Sequence, residues 1–198
     1  MVNTKLADVL SHALSAPLFA LYSLIIIYAA NSAAYSPLPA CLAILIGGVF
    51  LTILPVAPLS LNVLKGNVDV FVSDRRRRPK FYSYAILSYL AGALISHVLG
   101  VKILTIIHLA YFFVTLSVVI INFKTKISAH ASGIAGPVTY VVFFLGLSYA
   151  FLYLILIPVA WARIKLKAHT IQQITLGTIV AAIVTFLTCF IMYDVLLY

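Results

Sequence analysis

Apolar runs long enough for a helix to cross a hydrocarbon core about 30 Å thick, which takes about 20 residues, recur along this chain almost from end to end. Lipid offers backbone N–H and C=O groups no partner, so only helices and closed barrels satisfy their own hydrogen bonds within it. The runs lack the short alternation and frequent turns of an outer-membrane barrel. The expected fold is all-α, a polytopic bundle of six to seven transmembrane helices in a single integral membrane domain, residues 1–198. Composition points the same way: 64% of the residues are hydrophobic, 9% are charged, and none is glutamate, far from the usage of soluble domains.

The hydropathy pattern predicts spans over 10–31, 38–61, 81–100, 102–122, 131–147, 148–164 and 170–196. The stretch from Ala131 to Ile164 must be cut near Gly146 and Ser148 to give two of these; uncut, it would be one long tilted helix. The first run follows Lys5, Asp8 and His12 and has no small-residue cleavage pattern, which predicts a retained span, not a signal peptide. Cys41 and Cys189 lie inside apolar runs, with no metal partner at ligand spacing and little to gain from a disulfide. With seven spans, the N-terminus and the loops at 62–80, 123–130 and 165–169 share one side. Twelve of the thirteen Lys and Arg residues fall there and only Lys102 falls opposite. The positive-inside rule makes that side cytoplasmic in a multi-pass protein of the cell membrane.

The three basic loops carry the chain's scarce polar chemistry. "SDRRRRPKF", Ser73 to Phe81, has four consecutive arginines, whose guanidinium forks suit phosphate oxygens; taken alone, such a segment also suits anionic headgroups. "KISAHASGIAG", Lys126 to Gly136, places Ser128 and His130 at a small-residue helix start, where free N–H groups and the helix dipole favour an anion. Gly133 and Gly136 allow a ligand or another helix to come close. "WARIKLKAHTIQQ", Trp161 to Gln173, holds Arg163, Lys165, Lys167 and His169. Each of its cations would cost about 2.5 to 3.5 kcal/mol at mid-bilayer, so they belong at the interface or around a wet cavity. His169 and Gln173 are four apart on one helix face, so the amide can reach and orient the imidazole. His12, His97 and His108 lie off these loops and are expected to serve packing.

The inventory is arginines, a serine and two histidines, with Asp8, Asp69, Asp74 and Asp194 as the only acids. Two-metal hydrolysis needs a carboxylate cluster to hold its ions, whereas a metal-independent phosphoryl transfer through histidine needs only what is present.

These residues resemble the type 2 phosphatidic acid phosphatase superfamily, which includes bacterial acid phosphatases and vanadium haloperoxidases and is known by K-x6-R-P, P-S-G-H and S-R-x5-H-x3-D. In "ARIKLKAHTIQQ" the third motif is met by Arg163, His169 and Gln173, with Ala162 in place of serine and Gln173 in place of aspartate. "ISAH" supplies Ser128 and His130 of the second, and Arg78 and Pro79 match the first, where Phe71 stands at the lysine position. The resemblance covers residues 74–177 and suggests a divergent, compact prokaryotic branch. It implies a lipid phosphatase acting through a phosphohistidine, with His169 as nucleophile, His130 as general acid and Gln173 orienting His169. It further implies that Arg78, Ser128 and Arg163 bind the phosphate, joined by Arg75 and Lys126. The implied substrate is a polyprenyl mono- or diphosphate or a phosphatidate-like lipid, with no cofactor, no metal and no nucleic-acid partner.

Two other readings compete. A lipid-phosphate binder or transporter would keep this fold without turnover, as the missing lysine and aspartate suggest. "NVLKGNVDVFVSDRRRRP" also resembles the aspartate motif of Mg-dependent intramembrane prenyltransferases, with Asn62, Asp69 and Asp74 as diphosphate-Mg ligands. That family needs a second aspartate-rich motif and more spans than are present.

Overall fold

The computed structural model describes residues 2–70, 72 and 74–197; the side chains of Val2, Asn3, Arg75 and Leu197 lie outside that description. All regular structure among the described residues is helical. Helices α1 (Val2–Ala13) and α2 (Ala16–Ala30) meet at a 52° bend. Pro17 sits in the first turn of α2, where its missing N–H has no helical partner to lose. There follow α3 (Ala40–Leu64), α4 (Arg78–Val98), α5 (Lys102–Lys124), α6 (Ala129–Leu145), α7 (Leu147–Lys165) and α8 (Ile171–Leu197). One 3-10 turn, Arg75–Arg77, leads into α4.

Helices α3, α4, α5, α7 and α8 are long and apolar enough to cross a membrane, and the bent α1–α2 pair adds a sixth crossing when counted as one span. The segment expected to span at 131–147 forms the helix α6, but its 17 residues cover only about 25 Å, short of the helices long enough to cross. Its surroundings explain the shortness. It packs against α2, α5, α7 and α8, and every residue from Ala131 to Val141 is buried. A helix walled in by protein has no lipid thickness to match.

The break expected near Gly146 is real. Gly146 stands at φ +99 and ψ 169, a conformation essentially restricted to glycine. Beyond it α7 winds as a 3-10 helix over Leu147–Ile155 and as an α-helix over Leu156–Lys165. The 3-10 part rises about 2.0 Å per residue, so α7 reaches roughly 33 Å where an α-helix of the same length would reach about 28 Å. A segment too short on residue count thereby gains the length of a crossing.

Helix α3 carries a π turn at Gly48–Ile53, followed by Pro55 and Pro58. In π winding the partner of the Phe50 carbonyl would be the N–H of residue 55, which proline lacks. Ser88 Oγ of α4 donates to that oxygen at 2.7 Å, so the irregular backbone is satisfied by protein, as a membrane interior demands. The main apolar core, including Leu24, Leu104, Ile107 and Tyr140, fills the half of the bundle nearest the 31–39 and 99–101 connections. A cavity lies in the other half.

Candidate functional site

The turn between α7 and α8 gives the Arg163–His169 spacing a physical basis. Lys167 adopts φ +53, and this left-handed residue folds the chain back so that Ala168 N and His169 N donate to Arg163 O at 3.0 and 3.3 Å. Arg163, in the last turn of α7, and His169, just before α8, are both buried. Five intervening residues are what this reversal takes.

The orientation of His169 follows from its partner. His169 Nδ1 lies 3.0 Å from Gln173 Oε1. The Thr170 backbone N–H, which can only donate, points to the same atom at 3.3 Å. That atom must therefore be the amide oxygen, and Nδ1 must carry the ring proton. Nε2 is left as the basic nitrogen. Burial, aided by the positive charges of Lys126, Arg163 and Arg78 and opposed by the Gln173 hydrogen bond, pushes the His169 pKa down to about 4. The imidazole is neutral at neutral pH.

The loop before α6 is tied to this turn. Ser128 N donates to Gln173 O at 3.2 Å, and Lys126 Nζ donates to Ala168 O at 2.8 Å. Burial, with repulsion from Arg78 and Arg163 and opposed by Asp69, lowers the Lys126 pKa. Ser128 caps α6, its Oγ accepting from Ala131 N at 3.3 Å. Gly133 lets α2 approach closely: a Cβ there would lie 2.0 Å from Ala16 Cβ and 2.8 Å from Ala16 Cα.

The arginine run divides. Arg76 and Arg77 are exposed. Asp74 caps the turn by accepting from Arg76 N at 3.0 Å, and it pairs with Arg77 at 3.6 Å. Arg78, at the start of α4 beside Pro79, turns inward and is buried. Its Nε donates to Val72 O at 2.9 Å. Val72 holds that carbonyl in place at φ +44, an uncommon and strained conformation for a β-branched residue. Tyr82, one turn on, hydrogen-bonds Arg78.

Arg78, His130, Arg163 and His169 line one cavity of about 230 Å³. The structure thus brings together residues from all three loops. It places others behind the wall: Gln173, Ser128 and Lys126 do not line the cavity but hold the residues that do. Phe71 and the Arg75 side chain lie outside the described residues. Asp69 and Asp74 do not line the cavity either, and Asn62 donates to Pro58 O in its own helix. Among the described residues no three His, Cys, Asp or Glu side chains gather as ion ligands.

Ser11 is the participant that the motifs did not indicate. It lies in α1 and is 1% exposed. Its Oγ accepts from Arg163 Nη1 at 2.7 Å, and its carbonyl lies 3.2 Å from His130 Nε2. A serine in an N-terminal apolar run carries no local signal; only the packing of α1 on α7 brings it to the site.

Below this polar end the walls turn apolar, with Phe81 and Ala85 of α4, Val114 of α5 and Pro137 of α6. The arrangement offers cationic donors for an anion, a neutral imidazole with its basic nitrogen defined, and a second imidazole on the same cavity, above a space suited to hydrocarbon. Comparison of the chain with family models, with characterised proteins and with solved structures finds no match.

Proposed function

We propose that this chain is a metal-independent lipid phosphatase of the type 2 phosphatidic acid phosphatase kind. The observation that carries the reading is His169, with Nδ1 engaged by Gln173 and Nε2 basic, at the mouth of a cavity holding Arg78 and Arg163 above apolar walls. His169 Nε2 attacks phosphorus and the P–O bond to the lipid breaks. His130, protonated once the anionic phosphate sits beside it, gives its Nε2 proton to the departing oxygen. Water then attacks the phosphohistidine, His130 takes a proton from it, and phosphate leaves with His169 restored. Arg78 and Arg163 hold the oxygens that carry charge in each transition state. His130 Nε2 faces Ser11 O in the resting site, so the first proton transfer exchanges that contact for the leaving oxygen.

In this reading the α1–α2 pair is one crossing and α6 another, giving seven crossings with the site on the cytoplasmic side, where the basic loops lie. A lipid-phosphate binder or transporter without turnover is the second reading. It is favoured by the neutral Gln173, which stabilises a charged imidazole less than a carboxylate would.

The test is phosphate release from a panel of lipid phosphates by purified protein in EDTA, with His169→Ala beside it. Release that survives EDTA and disappears in the variant supports the phosphatase. Absence of release from every substrate rules it out.

A further inference from the structure

We infer that the cavity is a slot for a single lipid chain whose length is limited by a floor of three tyrosines, Tyr89, Tyr111 and Tyr140. The assignment rests on the lipid-phosphate reading of the polar end, because that end fixes where the chain begins.

Two helices give the same depth. Arg78 and Tyr89 lie eleven residues apart on α4, and His130 and Tyr140 ten apart on α6, with all four residues lining the one cavity. At 1.5 Å per residue this is roughly 15 to 17 Å, close to half of a hydrocarbon core about 30 Å thick. The floor therefore lies near the bilayer midplane.

The floor is built to stay closed. The ring centroids of Tyr89 and Tyr111 are 5.3 Å apart, and those of Tyr111 and Tyr140 are 6.3 Å apart. Tyr140 is further held by a hydroxyl-to-hydroxyl bond to Ser23 of α2. Each of these tyrosines is at least nine-tenths buried. An aliphatic chain reaching this layer meets packed rings with no slack.

The width argues for one chain. A volume of about 230 Å³ lies below the roughly 300 to 1,000 Å³ of pockets that enclose a drug-sized ligand, and part of it is taken by the phosphate end. Two acyl chains cannot both be enclosed. Pro55, Val56 and Leu59 of α3 line the cavity with Ala16 and Pro17 of α2, and the Leu54–Leu64 part of α3 packs on α4 and on its own π turn. In this assignment the chain enters between the start of α2 and the Leu54–Leu64 part of α3, beyond the Thr52 Oγ1 bond to Pro17 O, and its phosphate meets Arg78 and Arg163. The fitting occupant is a prenyl or alkyl phosphate of about farnesyl length.

The experiment measures binding of non-hydrolysable phosphonates to the full chain in nanodiscs, using geranyl, farnesyl and geranylgeranyl phosphonate with a two-chain phosphatidate analogue. Farnesyl phosphonate is expected to bind about tenfold tighter than geranylgeranyl phosphonate or the two-chain analogue. Ala85→Phe, which fills the slot midway, moves the optimum to geranyl. Tyr89→Ala, which opens the floor, moves it to geranylgeranyl. Binding of inorganic phosphate, which touches only the mouth, stays unchanged in both variants. Equal affinity across chain lengths, or one length profile shared by wild type and both variants, overturns the slot. The outcomes separate from those of the phosphatase reading: a length optimum without phosphate release keeps the slot and sinks the phosphatase, and release at equal rates from all lengths does the reverse.

Discussion

Arg163 Nη1 donates to Ser11 Oγ at 2.7 Å across 152 residues of chain. This buried bond, with the His130 contact to the Ser11 carbonyl, makes α1 part of the site. Ser11→Ala leaves a buried guanidinium short of an acceptor, a loss of about 1.5 to 3 kcal/mol for a bond to a charged group. The expected result is a lower unfolding temperature and a fall in kcat/KM of about tenfold or more, with recovery in Ser11→Thr. Thermal melts and phosphate release on the three proteins check it.

Gln173 sets the tautomer of His169. Gln173→Leu removes the acceptor and lets the proton occupy either ring nitrogen, so kcat is expected to fall by about 100-fold, the lower end of what a positioned acid or base contributes. Gln173→Asp supplies a carboxylate that stabilises the imidazolium and raises the His169 pKa. Its pH–rate profile shifts its acid limb upward, whereas a purely structural role for Gln173 would leave the limb where it is.

Because burial first, and then neighbouring cations, hold the His169 pKa at about 4, the ring stays unprotonated well below the ordinary histidine value near 6.5. The neutral form that the proposed mechanism uses as nucleophile is lost only as pH falls through the lowered value. The acid limb of the kcat/KM profile is expected near pH 4, and activity falls again at higher pH as His130, the acid, loses its proton. A drop centred near 6.5 would show that His169 titrates as a free imidazole.

Gly133→Ala drives a methyl group into Ala16 of α2, including its backbone. Overpacking of this kind costs about 1 to 3 kcal/mol, and here it pushes α2 away from the α6 helix start. A reduced unfolding temperature together with lost activity is expected. Gly48→Ala is the control, since its methyl meets nothing nearer than Leu21 Cδ1 at 3.8 Å.

Lys167→Gly relieves the left-handed conformation at φ +53, which costs an ordinary residue about 1 to 2 kcal/mol. The variant is expected to melt higher while keeping full activity, because the Lys167 side chain has no role at the cavity. Loss of phosphate release would show that this lysine also serves the substrate.

The helices were legible in the sequence because the bilayer leaves so few ways to satisfy a backbone. Their order, the break at Gly146 and the residues Arg78, His130, Arg163 and His169 that meet at one cavity all stand in the chain as written. A spacing such as Arg163 to His169 is local and survives as a turn. Other features depend on contacts between segments distant in sequence, and periodicity carries no trace of these. Packing decided that α6 is an enclosed helix of 17 residues and that α7 gains its length by 3-10 winding. It turned Arg78 inward while Arg76 and Arg77 faced out, and it set Ser128 and Lys126 behind the cavity wall. It also brought Ser11 to Arg163 and closed the cavity with Tyr89, Tyr111 and Tyr140. Sequence specified which groups were available and which segments enter lipid, because those are properties of the residues themselves. Tertiary structure alone assigned their work, because burial and hydrogen-bond partnership belong to pairs of residues.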